Sequence, residues 1–132
     1  MQYLKTYLKT ITDRGNVRLA ESIEKTAEDV GSQYIKQFSF CNHEIGLLFG
    51  NVQSGKTGQM FGIICKAADL GFPAFVLLTT DNVVLQQQTL ERVKADLQGF
   101  CICGENDSGL FIENRLMKPS IIVLKKNVRI LR

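Results

Sequence analysis

The sequence predicts an α/β fold built on a parallel sheet, and three observations predict it. Hydrophobic runs of strand length, Ala74–Thr79 and Ser120–Leu124, alternate with segments of helical periodicity. A glycine-bounded turn, Gly50-Asn51-Val52-Gln53-Ser54-Gly55-Lys56-Thr57, lies between the apolar run Glu44–Phe49, which reads as a buried strand, and Gly58–Leu70, which reads as a helix. Gly71 then supplies a helix stop and Pro73 prevents continuation, so Ala74–Thr79 closes a βαβ unit. Parallel pairing through a right-handed crossover is the default for such a unit, with ligands at the carboxyl ends of its strands.

The remaining elements follow in chain order. Tyr3, Leu4, Tyr7, Leu8 and Ile11 share one face of a helix that the run Thr12–Asn16 ends. Asn16 is the expected N-cap of a second helix, whose apolar positions Ile23, Ala27, Val30, Tyr34 and Phe38 step by three or four, with Gly31 expected to bend or split it. After the strand at Ala74–Thr79, Asp81 or Asn82 caps a helix running to about Leu97, with Val83, Val84, Leu90, Val93 and Leu97 on its apolar face. Phe100–Cys103 reads as a further strand, Gly104–Gly109 as a polar loop and Leu110–Ile112 as a short apolar segment. Pro119 introduces the strand Ser120–Leu124, and Lys125-Lys126-Asn127 turns it into a helix starting at Val128. The organisation predicted is an N-terminal helical segment, 1–43, followed by the α/β domain, 44–132.

With 132 residues, 45% of them hydrophobic, the chain can bury one modest core. No apolar run approaches the ~20 residues of a membrane span, and the polar start Met1–Lys5 lacks the core of a secretion signal, so a cytoplasmic protein with no membrane partner is expected. Cys41, Cys65, Cys101 and Cys103 are then expected to be reduced thiols, and their spacings do not match a zinc knuckle. The net charge of +3 is uneven. Six basic residues and no acid follow Glu113, leaving ten bases against thirteen acids, a net −3, on the rest. Such a basic end suits either a solvated surface or a nucleic-acid backbone.

The turn at Gly50–Thr57 matches a phosphate-binding loop. Glycines tolerate the unusual dihedrals that let successive N–H groups converge on phosphate oxygens, and the positive end of the following helix adds to the field. In this reading Gly50, Asn51, Val52, Gln53, Ser54, Gly55, Lys56, Thr57 and Gly58 hold the phosphates of ATP. Lys56 bridges the β- and γ-phosphates, and the Thr57 hydroxyl coordinates Mg²⁺. A hydrolase also needs an acidic strand end, and the one candidate, Asp81, reads better as a helix cap. Phe38 and Phe40 read as core residues, with stacking on a nucleotide base as the alternative.

The motif Gln53-Ser54-Gly55-Lys56-Thr57, then Leu78-Thr79-Thr80 with Leu85 and Gln88-Thr89, then the strand exit Ile121–Asn127, resemble the start of bacterial superfamily-two helicase-like ATPases that carry a Z-one endonuclease domain. Asn51 stands where that pattern has histidine and Thr80 where it has glycine. The resemblance spans roughly residues 46 to 132. It implies a partial RecA-like P-loop NTPase domain preceded by N-terminal helices, with an Asp-Glu strand, a second RecA-like domain and a nuclease module in the rest of the same polypeptide. It also implies contact with a nucleic-acid backbone through the segment starting Thr79-Thr80, and a function in bacterial defence; Lys125 and Lys126, basic residues at a strand exit, are the further candidates for contact with nucleic-acid phosphates. The expected protein is thus the ATP-binding N-terminal fragment of a helicase-like ATPase, inactive by itself. A small-molecule kinase and a non-catalytic nucleotide-binding module are the alternatives.

Overall fold

A computed structural model describes residues 2–50, 55–79, 82–104 and 118–125, and shows a mixed α/β architecture with a small open parallel sheet. The elements are α1 (Tyr3–Asp13), α2 (Val17–Val30), a π-helical turn (Gly31–Ile35), α3 (Lys56–Asp69), β1 (Ala74–Thr79), α4 (Val83–Asp96), β2 (Cys101–Cys103) and β3 (Ser120–Lys125). They form two compact units, Met1–Gly71 and Phe72–Arg132. Among the described residues no helix is long and apolar enough to cross a membrane.

The first unit is a helical hairpin, α1 and α2, packed on α3. The apolar stripe anticipated for α1 is the one buried, through Leu4, Tyr7 and Ile11. From α2 come Ala20, Ile23 and Ala27, and from α3 Phe61, Ile64 and Cys65. The approach of α2 to α3 is close because Gly58 and Gly62, one turn apart on the same face, present no side chain to Ile23. A Cβ on Gly62 would lie 2.4 Å from Ile23 Cγ2, and one on Gly58 3.3 Å from Ile23 Cδ1. At the far end of α3, the Asp69 carboxylate accepts from the Tyr3 and Leu4 N–H groups at 2.7 and 3.2 Å. An acid from one helix thereby caps the N-terminus of another, where the free N–H groups and the helix dipole both favour negative charge.

Two expectations change in this unit. The stripe of α2 does not run on to Tyr34, which is exposed. Gly31 keeps right-handed helical angles, and the chain makes a π turn in which Lys36 N–H donates to Gly31 O at 2.8 Å, so the wider turn breaks the three-four stepping. Absence of a side chain at Gly31 also lets Lys66 pass, since a Cβ there would lie 2.7 Å from Lys66 Cγ. The second correction is larger. Glu44–Phe49, expected as a buried strand, is neither strand nor buried: Ile45 is 89% and Phe49 85% exposed. Apolar content alone does not make a strand, because its N–H and C=O groups need a neighbouring strand, and this segment pairs with none among the described residues.

The second unit carries the sheet, in the order β1-β3-β2, with both pairings parallel. Asn82 is the cap of α4, its Oδ1 accepting from Val84 and Leu85 N–H at 2.9 and 3.4 Å. Helix α4 packs on all three strands, burying Leu90, Val93 and, just past its end, Leu97. The register places Phe75 beside Ile121 and Leu77 beside Val123, so these residues share the covered face. Ala74, Val76 and Leu78 alternate onto the other face and are exposed. Val83 and Val84, anticipated in the apolar face of α4, are also exposed, lying in its first turn ahead of the residues that reach the sheet.

Two outcomes follow from this packing. Gly62→Ala gains about 1 kcal/mol of helix propensity but overpacks against Ile23, which costs about 1–3 kcal/mol. Urea unfolding should show a net loss, and Ile23→Ala in the same chain should recover part of it; strictly additive losses would mean that the two positions do not meet. The outer edge of β1 carries no charge, proline or bulge, and Leu78 beside it is 71% exposed. Leu78→Lys should lower concentration-dependent light scattering without changing far-ultraviolet circular dichroism, whereas unchanged scattering would place the aggregation-prone surface elsewhere.

Candidate functional site

Helix α3 begins at Lys56, so Lys56 and Thr57 are its first two residues rather than the last of the loop. Gly55 is the N-cap in the left-handed conformation, φ 71° and ψ 34°. Only glycine adopts that geometry without strain, and a Cβ there would also lie 2.9 Å from Leu19 Cδ1. The first rung of the helix is Gln59 N–H to Gly55 O at 3.0 Å. The N–H groups of Lys56, Thr57 and Gly58 precede that rung, and the N-cap, a glycine, has no side chain with which to cap them. With 14 residues of aligned peptide dipoles behind it and no acid in its first turn, this end of α3 is electropositive. Lys56 and Thr57 are half-buried there, and among the described residues Lys56 joins no ion pair. First-turn N–H groups, an ammonium and a hydroxyl make a donor set suited to a polyanion with an attached hard cation.

The neighbouring helices hold this end in place. Ile23 sits against Gly58 and Gly62, and Tyr7 Oη makes a long hydrogen bond, 3.4 Å, to Gly58 O while its ring meets Phe61 edge-on. Gln59, 7% exposed, donates through Nε2 to Ser22 Oγ at 2.9 Å, and its Oε1 is buried without a hydrogen-bond partner among the described residues. Sequence reasoning missed Tyr7, Leu19, Ser22 and Gln59 as neighbours of the loop. The one signal was Gln59 itself, an amide beside the apolar run Met60, Phe61, Ile63 and Ile64.

Other residues singled out in the sequence lie as follows. Gly50 is in an exposed stretch without regular structure, and Asn51, Val52, Gln53 and Ser54 fall outside the described residues. Thr79 and Lys125 are register partners at the carboxyl ends of β1 and β3, and Thr79 Oγ1 donates to Leu124 O at 3.1 Å. Thr80, Asp81 and Lys126 lie outside the described residues. Phe40, expected in the core, is 79% exposed and meets Phe38 edge-on at 5.4 Å between centroids, because the chain there has left the helical hairpin. A cavity of about 640 Å³ lies toward the other end of α3, bordered by Lys5, Lys9, Glu24, Glu28, Lys66 and Asp69. Its charges balance, and Lys66 is held by Glu28 at 2.9 Å. It is separated from Lys56 by roughly 15 Å of helix.

Cys65, on the buried side of α3, has its thiol pushed far above the ordinary value by burial and secondarily by the negative charge of Asp69. The folded state thus keeps this proton while the unfolded chain releases it near pH 9.0. Its contribution is neutral below that pH, and stability falls as pH rises above it, by at most about 1.4 kcal/mol per pH unit. Comparing urea unfolding of the wild type and Cys65→Ala between pH 8 and pH 10.5 should show a shallower decline in the variant, and parallel declines would assign the alkaline loss to other groups. No family model, curated protein or solved structure matches this chain.

Proposed function

We propose that the chain binds the phosphates of a nucleoside triphosphate, ATP with Mg²⁺, at the N-terminus of α3, within a P-loop domain of RecA-like type. The observation that carries this reading is the left-handed N-cap Gly55 leading into a helix whose first residues are Lys56 and Thr57, directly after the sequence run Gly50–Ser54. Lys56 would hold the β- and γ-phosphates, the N–H groups from Gly55 to Gly58 the phosphate chain, and the Thr57 hydroxyl the metal. Mg²⁺ supplies charge neutralisation across the β- and γ-oxygens when bound.

The wider reading is a helicase-like ATPase that acts on nucleic acid together with further parts of its polypeptide, in the cytoplasm and in defence against foreign DNA. Its support is the resemblance in motif order, and the position of Thr79 and Lys125 side by side where parallel strands present ligand-facing ends. In this reading Thr79, Thr80, Lys125 and Lys126 contact the nucleic-acid backbone.

Titration with a Mg²⁺-bound non-hydrolysable ATP analogue tests the proposal. Lys56→Ala removes a charge-assisted bond of about 1.5–3 kcal/mol and should weaken binding about tenfold or more. Thr57→Ser preserves the ligand oxygen and should be mild, while Thr57→Val preserves only shape and should abolish the difference between titrations with and without EDTA. Affinities unchanged in Lys56→Ala and Thr57→Val would remove the phosphate site from this helix.

A further inference from the structure

We infer that the α1–α2 hairpin is the positioning element of the phosphate site, acting through the Ser22–Gln59 hydrogen bond, so that anion binding at α3 and packing of the hairpin are coupled. The inference rests on the phosphate-binding reading of α3 and adds Gln59 and Ser22 to it as positioning residues.

Gln59 is one residue beyond the last N–H group that precedes the first rung of α3, so any rotation of this turn moves the donors of Lys56, Thr57 and Gly58 with it. Its side chain is the polar link from that turn to α2, through Nε2 to Ser22 Oγ at 2.9 Å. Retaining an amide there has a cost, because Oε1 is buried with no hydrogen-bond partner among the described residues. A methionine would fill the same volume without an orphaned oxygen, so packing alone favours an apolar residue at this position. Apolar contacts reinforce the same junction: Leu19 closes on Gly55 and Ile23 on Gly58. Leu19, Ser22 and Ile23, which share one face of α2 within about one turn, thus bear on the first turn of α3, and each contact falls on a residue of the candidate loop or beside it. Coupling of this kind is reciprocal, so an anion bound at the first turn of α3 also tightens the hairpin.

The test separates positioning from stability. Gln59→Met should melt at or above the wild-type temperature, since the orphaned oxygen is gone, and yet bind the Mg²⁺-bound ATP analogue about threefold to tenfold more weakly. Ser22→Ala, which removes the acceptor from the other side, should weaken binding to a similar degree. Ile11→Val, a destabilising change in the core of α1, serves as control and should lower the melting temperature while leaving affinity at the wild-type value. In the wild type, the analogue should slow amide hydrogen exchange across Val17–Ala27. Wild-type affinity in both Gln59→Met and Ser22→Ala overturns the inference and leaves the phosphate site standing. A wild-type chain that does not bind the analogue overturns the phosphate site and the inference with it.

Discussion

The seating of Ile23 on the glycine face of α3 is the constraint on which the helical unit depends. Gly58 and Gly62 are spaced so that two successive turns of α3 offer backbone where other helices offer side chains. Ile23 fills that groove and is fully buried. Close approach lets α2 bring Leu19, Ser22 and Ile23 to the first turn of α3 and Glu28 to Lys66 further along it. Glycine in a helix interior lowers its intrinsic stability by about 1 kcal/mol relative to alanine, so a pair of them in α3 is sustained by the packing they permit.

That packing has a consequence for the electropositive end of the helix. A helix N-terminus on a mobile segment would present its N–H groups over a range of directions, and each phosphate contact would carry an ordering cost. Here the far end of α3 is tied to α1 through Asp69, and the near end to α2 through Gln59. Both ends are referenced to the same hairpin. The donors of Lys56, Thr57 and Gly58 are consequently preorganised by tertiary contacts even though Ile45 to Phe49 pairs with no strand among the described residues. Preorganised dipoles aimed at one position are what a phosphate chain requires.

The sheet unit answers to a different constraint. A parallel sheet is stable when both faces are covered, and α4 covers the face of Leu77, Ile121 and Val123, while Val76 and Leu78 face outward. Among the described residues no strand pairs with the outer edge of β1. The residues of β1 read in sequence as continuously hydrophobic, yet only one of the two faces they form is buried.

Local physics determined much of this protein from its sequence. The stripe of Leu4, Tyr7 and Ile11, the strands at Ala74–Thr79 and Ser120–Lys125, the helix stop at Gly71 and the cap at Asn82 each depend on residues within one or two turns, and each was legible. The candidate phosphate site was legible for the same reason, since left-handed Gly55 followed by Lys56 and Thr57 is a local arrangement. Tertiary structure decided the rest. Whether Glu44–Phe49 is a strand depends on a partner and not on its own hydropathy, which is why an apolar run stands exposed. Gly62 was only a weak point in a helix until Ile23 packed against it, and Gln59 only an interruption until Ser22 met it across 37 residues of chain. Spacing along the chain encodes which residues share a face, but contact between faces is set by how closely two backbones approach, and that distance belongs to the fold.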